Sequence, residues 1–381
     1  MTHSDTTAHE HHDGDASPKS VGHRIAIGLS RLWAWVFLAL LIIFFVVSVS
    51  VTSGGTVNFL TLRNSQNILV AITPVLLLGL GQTFVIIAAG IDLSVGWVMS
   101  LASVLSALAI RAAFNAGAPL FLSVIAGLFA AVGGAAVVGL FNGLIIAKLK
   151  VPAFIVTLGS GFIVRGVSLL MSENTTVIGL PPGLRDYGNN ALLYYLHGED
   201  GGFYFLFRPE LTGDALRRLD PIFMWPVVVT AIVVALMMFV LRRTQFGRHT
   251  YAIGGNLEAA RRTGIPVDRH IIMLYILSSA TAGVAGLLST LRFNAGSAVI
   301  GDALLLQSIA AVIIGGVSLF GGAGTIIGTV IGALIIAVLT TGLVMLNVAA
   351  FWQFIVVGAV VIIAVLIDQS RDLIIGRRGR E

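Results

Sequence analysis

Residues 119–147 read PLFLSVIAGLFAAVGGAAVVGLFNGLIIA, a run without one charged side chain. A hydrocarbon core about 30 Å thick is crossed by about 20 apolar residues of α-helix, since a helix satisfies its backbone N–H and C=O groups within one segment. This run is long enough to span. Nine more runs of the same kind surround it, at Trp33–Val51, Ile68–Ala89, Val95–Ile110, Pro152–Met171, Ile222–Leu241, Ile271–Leu291, Ala303–Phe320, Gly322–Leu343 and Phe351–Ile367. Composition agrees: 57% of the 381 residues are apolar and 11% charged, and mean hydropathy is +0.97, whereas a soluble domain carries about 25% charge. The expected fold is an all-α polytopic membrane protein of about ten transmembrane helices with glycine-rich packing. Val95–Ile110 is short, and the pair meeting at Gly321 and Gly322 fits a re-entrant or broken helix, so about eight to eleven spans are compatible with the pattern.

Basic residues set the sidedness. With the amino terminus inside and ten crossings, fifteen lysines and arginines fall in cytoplasmic segments and seven outside, with Arg165 inside a span. The positive-inside rule therefore puts both termini in the cytoplasm. Residues 1–32 are polar, hold His3, His9, His11 and His12, and read as a disordered tail without the spacing of a metal site. The run from Trp33 is long enough to cross and reads as an uncleaved anchor. Residues 33–367 form the expected membrane domain, with an outer insert at 172–221 and a cytoplasmic loop at 242–270, and 368–381 form a basic cytoplasmic tail. The net charge of +5 is thereby a matter of topology, and no nucleic-acid partner is implied.

Familiar catalytic patterns are missing. The chain has no cysteine, which excludes thiolate nucleophiles and cysteine-ligated metals. It has no G-x-x-x-x-G-K-[ST] loop, because Gly321-Gly322-Ala323-Gly324-Thr325 lacks the lysine, and no H-E-x-x-H pair. An enzyme is not expected, and neither a metal nor a cofactor is expected on this chain. Gly139 with Gly143, and Gly324, Gly328 and Gly332, recur at four-residue spacing, which lets helix backbones approach closely.

Ionisable and polar groups inside spans are costly and mark candidate sites. Asp92, in GIDLSVG at Gly90–Gly96, is placed to accept from the free N–H groups of the helix it opens, as a cap or a gate. Arg165 lies well inside its span, where it can snorkel, pair with a carboxylate or face a polar path, and Asp302 opens another helix. Gln82, Asn142 and Gln307 suit either interhelical hydrogen bonds or a route for a hydroxyl-rich solute. A proton- or sodium-coupled transporter would show several acidic groups at mid-depth, and none is evident.

The segment Arg242–His270, RRTQFGRHTYAIGGNLEAARRTGIPVDRH, holds two short helices parted by Gly254-Gly255-Asn256. Asn256 is expected to cap the second, which ends at Gly264 before Pro266. Such a compact element fits a partner's groove, although its arginines also suit a membrane surface. FGRHTYAIGGNLEAARRTGI in this loop, GIDLSVG, VPAFIVTLG at Val151–Gly159 and IAAVIIGGVSLFGGAGTIIGTVIGALI at Ile309–Ile335 together resemble the ribose-type carbohydrate-uptake permeases of bacterial ABC importers. The resemblance covers about Asn58 to Asp368. It implies a multi-pass subunit of the bacterial inner membrane that pairs with a second permease copy, receives a monosaccharide or polyol from a periplasmic binding protein and is driven by a cytoplasmic ATPase, which holds the ATP and Mg. It also implies that Gly254, Gly255, Asn256, Glu258, Ala259, Ala260 and Arg261 belong to the coupling helix seated on that ATPase. Gln82, Trp97, Asn142, Arg165 and Gln307 are then the expected lining of the path.

The segment Ser172–Pro221, with Tyr194, Tyr195, Phe203, Tyr204, Phe205 and Phe207, is longer than is usual in that family. It fits an interfacial hairpin, a contact for the binding protein or a cover for the pathway mouth. Branched-chain amino-acid permeases and a stand-alone secondary transporter are the alternative readings.

Overall fold

A computed structural model describes residues 21–198, 201–206 and 208–377. The expected tail histidines lie outside these residues, as do residues 378–381. The chain divides into two units, residues 1–33 and 34–381. Of the first, the described part is helical from Val21, so helix begins ahead of the first apolar run.

The helices α1 (Val21–Thr52), α2 (Leu62–Ile87), α3 (Val95–Asn115), α4 (Leu120–Leu149) and α5 (Ala153–Met171) carry the first five apolar runs. After α6 (Leu184–Asn189), β1 (Ala191–Leu196), β2 (Gly202–Phe205), α7 (Asp214–Arg217) and β3 (Leu219–Met224) come α8 (Trp225–Arg243), α9 (Gln245–Gly255) and α10 (Leu257–Arg262). The chain continues through α11 (Val267–Phe293), α12 (Asp302–Ile314), α13 (Ile326–Met345) and α14 (Ala350–Arg377). Among the described residues, eight helices are long and apolar enough to cross a membrane, Asp302–Ile314 is a shorter apolar helix, and Ala350–Val360 is the apolar first part of α14. The molecule is thus a mostly helical, polytopic membrane protein.

Helix α2 is the central post, buried over most of its length. Pro74 within it cannot donate to Val70. The Thr73 hydroxyl does so instead, 2.9 Å from the Val70 carbonyl oxygen, and the helix continues. Four glycines of the expected rows sit at backbone contacts: a Cβ on Gly139 would run into Tyr275 and one on Gly143 into Ile272, both on α11, while Gly328 and Gly332 of α13 lie against Gly315 and Ala311; Gly324, expected in the same row, lies in the loop ahead of α13 and against the side chains of Val317 and Ile87. The first four are close helix approaches of the kind the spacing predicts.

The expected span Ala303–Phe320 is different. Only Asp302–Ile314 is helical, 13 residues with a rise of about 20 Å, well under a full crossing. An irregular segment, mostly turns, precedes it and is bonded to α3. Gly296 pairs with Val177, the Ser297 N–H donates to Ser103 Oγ at 3.1 Å, and the Gly301 N–H donates to Ser100 Oγ at 2.9 Å. Serines of α3 thus satisfy backbone that would be costly to leave bare in an apolar surrounding. The break foreseen at Gly321 and Gly322 occupies Gly315–Thr325, and a second one lies ahead of α12.

The insert forms a three-stranded antiparallel sheet of order β2-β1-β3, with Tyr195 opposite Phe203 and Leu193 opposite Ile222. Ala191, Tyr194, Leu196 and Leu219 make its small core, and the Tyr194 hydroxyl accepts from the Ala191 N–H at 2.8 Å. Residues 222–224, expected to begin a span, belong to β3.

Candidate functional site

Between α2 and α3 the backbone makes a loop held by side chains from four helices, α2, α4, α5 and α11. Asp92 is completely buried there. Its Oδ1 accepts from the Ser94 N–H at 3.0 Å and the Ser94 hydroxyl at 2.6 Å, and its Oδ2 accepts from the Ser278 hydroxyl of α11 at 2.8 Å. The carboxylate closes a turn ahead of α3 and ties it to α11, instead of receiving the first-turn N–H groups of the helix. Gln82 Nε2 donates to the Asp92 carbonyl at 2.6 Å, and Asn142 Nδ2 donates to Ser94 Oγ at 3.0 Å. Tyr275 donates to the Ile91 carbonyl at 3.3 Å, and the Leu93 N–H donates to Thr157 Oγ1 of α5 at 3.0 Å. Gln82 and Asn142, expected along a path, are fully buried and hold this loop. Ser94, Thr157, Tyr275 and Ser278 escaped the sequence reading, since a single hydroxyl in an apolar run says nothing of its distant partner.

A second group gathers at the start of α12. Trp97 of α3 stacks on Phe162 of α5 with ring centroids 5.2 Å apart, and its ring fills the space that a side chain on Gly161 would need. One turn on, Arg165 pairs with Asp302 at 2.9 Å, both half-exposed. Gly96 lies against Gly301 and Leu305, which brings α3, α5 and α12 together. Gln307 is apart from this junction: two residues after Leu305, it is turned by about 200° around α12 from the face that meets α3.

The elements α9 and α10 form the third group. Thr244 caps α9, and Asn256 caps α10 through its side chain, which accepts from the Ala259 N–H at 2.9 Å. Ala260 is buried with Ile253 and Val267, while Glu258, Ala259 and Arg261 are exposed. Arg261 reaches Asp268 at 3.3 Å, and Lys148 of α4 reaches the same carboxylate at 3.4 Å. A Cβ on Gly254 would collide with the Ile87 carbonyl at the end of α2 and with the Gly322 N–H, which donates to that carbonyl at 2.8 Å. Gly255 has open space around it. The Tyr251 hydroxyl donates to the Gly324 carbonyl at 2.6 Å, and burial, opposed by nearby Arg242, pushes its pKa up and keeps the proton needed for that bond. The glycine loop of residues 321–324 is therefore the seat of α9, and four residues separate Ile87 from Asp92.

At the sheet end of the bundle, α2, α11 and α13 enclose a cavity of about 500 Å3 lined in part by Asn64, Asn67, Ser289, Arg292, Thr340 and Thr341. None of the five residues expected to line a path contributes to it. A smaller pocket of about 390 Å3 beside the insert carries Arg63, Arg208 and Arg217.

Residues 64–365 match the family profile described as the permease component of branched-chain amino acid transport systems. The chain is 37% identical to the fructose import permease protein of Rhizobium meliloti, over 85% of this chain and 82% of that one. It is 36% identical to the xylose transport system permease protein of Haemophilus influenzae, over 84% and 92% of the two chains, and 35% identical to the ribose import permease protein of Bacillus subtilis, over 88% and 92%. No solved structure matches it.

Proposed function

Because the chain belongs to the branched-chain amino acid transport system permease family, we propose that it is the membrane subunit of an ATP-driven importer, located in the bacterial inner membrane and carrying a monosaccharide or related polyol. The observation that carries this reading is the set of relatives named for fructose, xylose, ribose and allose, each matched over more than four-fifths of its length. They are transport proteins, and hydrolysis of ATP with Mg belongs to a partner ATPase on the cytoplasmic side. A periplasmic binding protein delivers the sugar, and a second permease copy completes the pathway. Ten crossings with both termini inside remain the topology that the basic residues favour, with α12 as the shorter member and α14 as the last crossing.

In this reading α9 and α10, from Gly254 to Arg261, are the coupling element. The exposed Glu258, Ala259 and Arg261 meet the ATPase, and the buried Ala260 and close-packed Gly254 fix the element to the permease. A push on α9 bears on Ile87 and Gly322 and so on the loop holding Asp92, to which side chains of four helices are bonded. Closure of the ATPase thereby favours one of two arrangements of α3, α5 and α12. The cavity lined by Asn64, Asn67, Thr340 and Thr341 offers amides and hydroxyls to a sugar near the outer mouth. The insert, with its arginine pocket, fits a contact for the binding protein.

The test is ATP hydrolysis by the reconstituted assembly, stimulated by a binding protein loaded in turn with pentoses, hexoses, polyols and leucine. Stimulation by one sugar is the expected result. Stimulation by leucine alone would transfer the chain to the amino-acid branch.

A further inference from the structure

Away from these groups, α2, α8 and α13 leave an open groove of about 590 Å3. On α8 its wall is a stripe at helical spacing that includes Ala231, Val234, Ala235 and Met238. The two hydroxyls in its lining are already engaged, Thr73 with the Val70 carbonyl at 2.9 Å and Thr230 with the Pro226 carbonyl at 2.7 Å. The groove offers a polar solute little to bind. One end, however, reaches Arg242 and Arg243 in the last turn of α8, both exposed, and neither is in an ion pair among the described residues.

From Val227 to Arg242 the stripe rises about 22 Å, more than the ~15 Å depth of one leaflet's hydrocarbon. An apolar trough of that length, ended by two guanidiniums at headgroup depth, selects its occupant by charge. A helix of a second copy would have to place a carboxylate at both guanidiniums, whereas a phosphodiester supplies its anion in the geometry that arginine binds best. We propose that this groove binds one anionic phospholipid, its acyl chain lying along α8 and its phosphate held by Arg242 and Arg243. The lipid then braces the end of α8 directly before Thr244, where α9 begins, so the stiffness of the α8–α9 joint depends on lipid charge. The inference rests on the chain being embedded in a membrane and not on its substrate.

The test uses the full chain, stripped of lipid in detergent and titrated with phosphatidylglycerol or phosphatidylcholine under native mass spectrometry. One phosphatidylglycerol per chain should bind at least about tenfold more tightly than phosphatidylcholine. Replacing both guanidiniums, R242Q with R243Q, should erase that preference, and Ala231→Trp should fill the trough and lower binding of both lipids. The outer-side variant Arg217→Gln should keep the preference. Equal affinity for the two lipids in the unaltered chain, or a preference that survives R242Q with R243Q, would overturn the proposal. So would disulfide formation between two copies carrying Ala231→Cys in membranes, which the absence of native cysteine makes readable, because it would put a protein helix where the lipid belongs.

Discussion

Asp92 shows how a polar residue in an apolar protein divides its labour. Its carboxylate accepts from two hydroxyls and one N–H, and the amides of Gln82 and Asn142 secure the backbone and the serine around it. Removing the α11 donor with Ser278→Ala strands a buried carboxylate oxygen, for a cost of about 1–2 kcal/mol. The unfolding midpoint in detergent should fall by a few degrees, and Ser278→Thr, which keeps the hydroxyl, should recover part of the loss. An unchanged midpoint in Ser278→Ala would mean that the bond contributes nothing. From sequence, Asp92 stood out because ionised groups are rare in spans. Gln82 and Asn142 stood out as neutral polar groups in apolar runs, but their use was hidden: Asn142 meets Ser94 across 48 positions of chain, and a one-dimensional pattern does not distinguish a residue that lines a path from one that ties a loop.

At the scale of elements, ten apolar runs were visible because a crossing needs only local sequence, whereas the shape of α12 depends on serines of α3 nearly 200 residues away. The cap of α10 was readable, since an asparagine at a helix start acts within three residues. The surface against which α9 rests was not, because Ile87, Gly322 and Gly324 come from two other parts of the chain. That packing separates two adjacent glycines. Gly254→Val would force α9 off the Ile87 carbonyl, while Gly255→Ala meets no neighbouring atom. Co-purification of the partner ATPase should drop at least about tenfold for Gly254→Val and stay within about twofold for Gly255→Ala. Equal losses in both would place the effect in the turn itself and not in its seat on α2.

For the whole molecule, the bundle links three regions that an importer needs: a polar cavity at the sheet end, a shared buried loop around Asp92, and a compact two-helix element resting on the glycine loop of residues 321–324. The family and its membrane setting could be reached from four motifs and the hydropathy pattern. The placement of the five residues expected along a path could not: Gln82 and Asn142 hold the loop around Asp92, Trp97 and Arg165 gather at one helix junction, and none of the five lines the cavity at the sheet end. The most direct measurement is sugar uptake into vesicles that contain this chain, with and without the ATPase, ATP and the binding protein. Uptake of one sugar that requires all three is the predicted result. Uptake that proceeds with none of them would contradict the importer reading and make the chain a transporter in its own right.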